Sequence, residues 1–159
     1  MRSGYRKGVG IVLTNQLGQV LIARRNDMDD QWQFPQGGID KGEQPHQAMY
    51  RELEEELGIS ESDATILAQT KSFLRYQFPM TATDFKGITT EYLGQELLFF
   101  LLKFHGPDSL IDVCGVDHAE FDRWSWVDYW IPAETIVEFK RDMYRRALTE
   151  LKPFLFIED

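Results

Sequence analysis

Residues 37–59 read GGIDKGEQPHQAMYRELEEELGI, and their reading decides the fold. Glu52, Glu54, Glu55 and Glu56 lie within five consecutive positions. The apolar spacing predicts a helix from Gln44 to Leu57, and like charges three or four apart on a helix repel. At about 100° per residue, with Glu52 at zero, Glu56 falls near 40° and Glu55 near 300°. Ala48, near 320°, leaves room above them. Met49, Leu53 and Leu57 fall between about 60° and 140° and make the core stripe. Glu54 points to solvent near 200°. Three carboxylates therefore converge on one side of the helix. Hard divalent cations such as Mg²⁺ take oxygen ligands and are held by a few carboxylates together with substrate phosphates. Such an ion would turn the repulsion into attraction. Arg51 lies eight residues from Glu43, so the two can pair only if Glu43 folds back from the preceding loop.

Outward from this stretch, Val9–Leu13 and Gln19–Ala23 are predicted strands of a hairpin around "NQLG". "WQFPQGG" reads as extended, and Thr65–Tyr76 contains a strand. Pro79–Gly94 reads as a loop. Glu96–Phe104, "ELLFFLLKF", is apolar on both faces and reads as a buried central strand. Phe121–Val127 alternates like another strand. Pro132 precedes a predicted helix of roughly twenty residues. Interspersed strands and helices suggest a mixed sheet flanked by helices.

Composition narrows the function classes. Hydrophobic content of 43% indicates a globular chain. The longest apolar run, Leu97–Leu102, cannot span a bilayer. No signal-type stretch opens the sequence. Cys114 is the one cysteine, which excludes an intrachain disulfide and makes a cytoplasmic setting the expectation. A net charge of −9 argues against a general basic coat for nucleic acid, so neither DNA nor membrane is an expected partner. Gripping one phosphorylated end stays open. Basic residues collect at Arg2, Arg6 and Lys7, at Arg24 and Arg25, and at Lys140, Arg141, Arg145 and Arg146.

Residues 37–59 resemble the Nudix box: Gly37, five residues, Glu43, seven residues, Arg51-Glu52, Leu53, one residue, Glu55-Glu56, one residue, Gly58, Ile59. The resemblance implies an α/β Nudix fold, an α/β/α sandwich with a mixed β-sheet flanked by helices, as one domain over residues 1–159. It implies hydrolysis of nucleoside diphosphates linked to another group, with Mg²⁺, Mn²⁺ or another divalent metal. Glu52, Glu55 and Glu56 would be metal ligands and catalytic groups, completed by a backbone carbonyl around Gln36 or Gly37. Glu43 and Arg51 would pin the loop to the helix, with Gly37 and Gly58 as structural positions of the box.

The pieces "GYRKGVGIVL", "QVLIARR", "FLRYQFP", "AEFDRWSWV" and "VEFKRDMYRRAL" are together similar to the bacterial RNA pyrophosphohydrolases, whose relatives cleave dinucleoside polyphosphates. That likeness implies Glu120 as a further metal-binding carboxylate or base. It places Arg25 and Tyr76 on the substrate phosphates, Arg6 on the first base, and Phe139 and Lys140 along the next nucleotide. Lys140 also falls inside the apolar stripe of the last predicted helix. Either that helix begins later than Ile136, or Lys140 reaches an anion: a substrate phosphate, Glu120 or a backbone carbonyl. The loop "MTATDFKGITTEYLG" carries only Lys86 as a cation, which departs from the RNA-acting relatives. Expected substrates are 5′-triphosphorylated RNA, whose cleavage would promote mRNA decay, or a dinucleoside polyphosphate. A catalytically silent nucleotide-sensing module is the third reading. No protein partner follows from the sequence.

Overall fold

Gly94–Phe104 forms β7, and its alternation organises two layers around the sheet. Leu98, Phe100 and Leu102 point to one face, and Leu97, Phe99 and Leu101 to the other; all six are buried. Successive strand residues face opposite ways, so a strand apolar at every position must be covered on both sides. The computed structural model describes residues 3–26, 30–79, 91–114 and 121–156. β1 (Tyr5–Thr14) runs parallel to β7, in register from Tyr5↔Gly94 to Thr14↔Lys103. On the other edge of β7, β5 (Ala64–Gln69) and β6 (Leu74–Gln77) pair antiparallel. The predicted Thr65–Tyr76 strand is thus two strands on one partner.

Outside β1 lie β2 (Val20–Arg25), β3 (Trp32–Gln33), β4 (Gln36–Gly38) and β8 (Phe121–Val127). The expected hairpin joins β1 and β2 at Thr14↔Val20. Beyond that pair β1 takes β4 as its antiparallel partner, while β2 takes β3 and β8. The turn holds because the Asn15 side-chain oxygen accepts from the N–H groups of Leu17 and Gln19, both at 3.0 Å.

Helix α1 (Pro45–Leu57) covers one face through Ala48, Met49, Leu53 and Leu57, against Val9, Ile11 and Leu13. Its start is set by Pro45 in the first turn and by Gln44, whose N–H donates to the Gln47 side chain at 2.9 Å. Gly58 ends it with φ +68°, a left-handed cap that a Cβ disfavours. The other face is covered by α2 (Ile131–Thr135) and α3 (Arg141–Leu151). The mixed sheet between two helical layers is the predicted α/β/α arrangement. The single long C-terminal helix is not present. Ile136 and Val137 are extended, and a short 3₁₀ turn, Glu138–Lys140, precedes α3. Two adjacent β-branched residues weaken a helix there, and the extended link buries Ile136 in the core. Pro132 sits inside the first turn of α2 rather than ahead of it.

Tyr144 ties α3 to the sheet. Its ring stacks on Phe34 at 4.8 Å, and its hydroxyl accepts from the Phe34 N–H at 3.0 Å, in a fully buried site. Tyr144→Phe leaves that N–H without a partner, so it should cost about 1–3 kcal/mol. Urea unfolding of the variant beside the parent checks this; equal midpoints would remove the bond from the account.

Candidate active site

The candidate site begins at Arg51 on α1. Its Nε donates to Glu43 Oε2 at 2.9 Å, and one terminal nitrogen donates to Glu43 Oε1 at 3.0 Å and to the Gly38 carbonyl at 2.9 Å. The other terminal nitrogen donates to Glu52 Oε1 at 2.7 Å and to Glu55 Oε2 at 3.3 Å. Glu43 does lie in the preceding loop and folds back onto the helix. It also accepts from the Asp40 N–H at 2.9 Å. The bidentate bond to Arg51, and then the Asp40 amide, pull the Glu43 carboxyl down to about 2.

Glu52 is buried, Glu56 half-buried and Glu55 exposed. The Glu52 carboxylate lies directly over Gly37, where any Cβ would overlap it. That close approach, rather than a special backbone angle, is what glycine supplies at position 37. Glu52 and Glu55 are brought together on one guanidinium. Among the described residues, no three carboxylate, histidine or cysteine side chains are gathered as a set able to hold a metal ion. Glu120 lies outside the described residues.

A second cluster stands on the α3 side of the sheet. Arg6, Gln95 and Tyr76 are directly opposite one another on β1, β7 and β6, so their side chains share a face. Tyr76 donates its hydroxyl to the Gln95 side-chain oxygen, which also accepts from Gln36 at 2.9 Å. Tyr76 is buried, and burial raises its pKa; the Gln36 bond and the charges of Arg25 and Arg6 oppose that rise. Phe139 lies against the Tyr76 ring at 5.6 Å. The Lys140 ammonium sits 5.0 Å over the same ring. Burial, and then repulsion from Arg25, lower Lys140 to about 7. The helix does begin after Ile136, and Lys140 is buried even so. Arg6, Arg25, Tyr76, Phe139 and Lys140 thus form one cationic and aromatic cluster.

Strand β4 joins the two sets. Gln36 and Gly38 face the cationic cluster, where a Cβ at Gly38 would meet the Arg6 guanidinium at 2.6 Å, whereas Gly37 faces Glu52. Carboxylates and cations therefore flank a single three-residue strand. The side chains of Gln36 and Gln95 were missed in the sequence. Gln95, a polar residue heading a strand that is otherwise nearly all apolar, was the available signal.

The NUDIX domain matches this chain over residues 4–147. The chain belongs to the Nudix family. A curated RNA pyrophosphohydrolase of Ectopseudomonas mendocina is 47% identical over 158 residues, covering 98% of this chain and 97% of that protein. Among solved structures, a C. elegans Ap4A hydrolase binary complex is similar with a TM-score of 0.67 at 22% identity, covering 94% of this chain and 99% of that one. The E. coli dihydroneopterin triphosphate pyrophosphohydrolase gives 0.67 at 21% identity, covering 92% and 98%. These two likenesses show that the Nudix fold is shared.

Because Glu43 has a depressed pKa in the folded chain, its contribution to stability is fully present above about pH 4.5 and is lost as pH falls toward about 2. Glu43→Gln should flatten acid unfolding across that window. Denaturant midpoints from pH 5 to pH 2 measure it; parallel curves would show that the pair carries no linkage.

Proposed function

We propose that this Nudix protein is a divalent-metal-dependent pyrophosphohydrolase that converts the 5′-triphosphate end of RNA to a monophosphate. The carrying observation is the pair of clusters flanking β4, carboxylates on one side and Arg6, Arg25 and Lys140 on the other. Near-complete coverage by a 47% identical RNA pyrophosphohydrolase supports RNA as the substrate. A 5′-triphosphate needs both halves: cations for its oxygens, and a site to activate water against it.

The donor chemistry fits a hard divalent ion. Glu52, Glu55 and Glu56 are all oxygen donors on one helix, and Glu52 and Glu55 already converge on a single cation, the Arg51 guanidinium. Gly37 leaves the Glu52 carboxylate room against the backbone. These three, with Glu120 and a carbonyl near Gln36 or Gly37, would hold Mg²⁺, with Mn²⁺ able to replace it. When bound, the ion supplies charge neutralisation and a lowered pKa for water. This chain's own residues do the positioning. Arg25 and Lys140 hold phosphate oxygens beside Tyr76, which lines the pocket, Arg6 covers the first base, and Phe139 packs the next. Tyr76 is fixed by Gln95, so its ring and hydroxyl are preorganised before substrate arrives. Producing monophosphorylated ends fits a role in mRNA decay in the cytoplasm. No helix among the described residues is long and apolar enough to cross a membrane.

In the sequence, Lys86 is the lone cation between Met80 and Gly94, a stretch most of which lies outside the described residues, and this favours a second reading, a dinucleoside polyphosphate hydrolase. Phosphate and pyrophosphate release from triphosphorylated RNA should exceed diadenosine tetraphosphate cleavage at equal enzyme; the reverse order would move the assignment. Glu56→Gln should lower turnover by about 10²–10⁴-fold with the fold intact by circular dichroism, as should metal removal with EDTA. A fully active variant would refute the role given to Glu56.

Lys140 supplies a pH test. Its folded pKa of about 7 lies below the usual lysine value, and a bound phosphate raises it again. Substrate binding should therefore take up a proton near pH 7–8, and KM should rise as pH climbs above 7. Lys140→Met should raise KM and abolish that slope; an unchanged KM–pH profile would return Lys140 to a packing role.

A further inference from the structure

The run Lys140, Arg141, Arg145 and Arg146 is only partly used by the site above. Helix α3 packs along β6, with Lys140 beside Tyr76 at one end. At the other end the Glu150 carboxylate accepts from the Lys71 N–H at 2.6 Å. Between them lies an open groove of about 370 Å³, lined by Ser72, Leu74, Arg145, Arg146, Thr149 and Glu150. Both arginines are exposed. Ser72 and Thr149 add hydroxyls, and the one carboxylate in the lining is engaged with the Lys71 amide.

Arg141, Arg145 and Thr149 follow at four-residue spacing and share a helix face. Arg141 and Arg145 repel at that spacing, and the Arg141 Nε is buried with no hydrogen-bond partner among the described residues. A polyanion lying along this face would relieve that repulsion. The groove opens on the same side of the sheet as Arg6, Tyr76 and Lys140. Arg145 is about 7.5 Å along the axis from Lys140, at 1.5 Å per residue.

We infer that the groove between α3 and Ser72–Leu74 binds the phosphate backbone of RNA beyond the first nucleotides, through Arg145 and Arg146. The inference rests on the RNA reading above and extends it. It assigns to α3 a grip for which the sequence from Met80 to Gly94 carries only one cation.

The experiment compares a triphosphorylated dinucleotide with a triphosphorylated strand of roughly twelve nucleotides, a length typical of single-strand sites. The parent should favour the longer strand. Arg145→Gln/Arg146→Gln should lower kcat/KM on that strand roughly 10-fold at low salt, and change the dinucleotide by less than about 2-fold. The salt slope for binding the strand should shrink by about 1.4, at ~0.7 for each lost phosphate contact. A parent that cleaves both lengths equally overturns the groove and leaves the activity standing. So does a variant unchanged on both lengths, as a groove built for an acidic protein would give, or one equally impaired on both. A parent that cleaves neither removes the activity, and the groove with it.

Discussion

The Arg51 guanidinium bonds to Glu43, Glu52 and Glu55 and to the Gly38 carbonyl, and the arrangement of the carboxylate face depends on it. Four glutamates in five positions would splay a bare helix apart in charge. One cation placed among them offsets part of that repulsion and fixes where two of the carboxylates point. The same side chain reaches the preceding loop. Through Glu43 and Gly38 it holds residues 38–43 against the helix, and this keeps Gly37 directly beneath Glu52. A lysine could not do this, because a point charge lacks the planar fork that serves a carboxylate on one edge and others beyond it.

The second constraint is the pleat of β7. Its even and odd residues build two separate cores, one under α1 and one under α2 and α3. Carboxylates carried by α1 and cations gathered near α3 therefore start on opposite sides of the sheet. Among the described residues they approach each other across the three residues of β4. Glycine at 37 and 38 lets Glu52 approach from one side and Arg6 from the other. The proposed polyphosphate site is thus a property of a thin edge, where a ligand can meet both layers without a hole through the core.

Much of this was legible because it is local. The helix over 44–57 follows from periodicity, its start from Gln44 and Pro45, and its end from Gly58. The meeting of Glu52 and Glu55 follows from 100° per residue, whereas the expected gathering of all three carboxylates with Glu56 is not present among the described residues. β7 was readable because a run apolar at every position has one stable solution, burial on both faces. The last helix was misread for a physical reason. The apolar spacing continues through Ile136 and Val137 while the backbone turns extended there, so a helical wheel drawn across them joins two elements that are not collinear.

Sequence alone determined the carboxylate face, the Arg51–Glu43 spacing and the layered α/β class, since each depends on residues a few positions apart. Tertiary structure alone decided that Arg6, Gln95 and Tyr76 stand in a row and that Lys140 comes to rest over Tyr76. Those residues are far apart along the chain, and their meeting is fixed by the register of β1 and β6 on β7. Register is chosen by the summed burial of whole strands, because a slip of one residue would turn every apolar side chain to the wrong face.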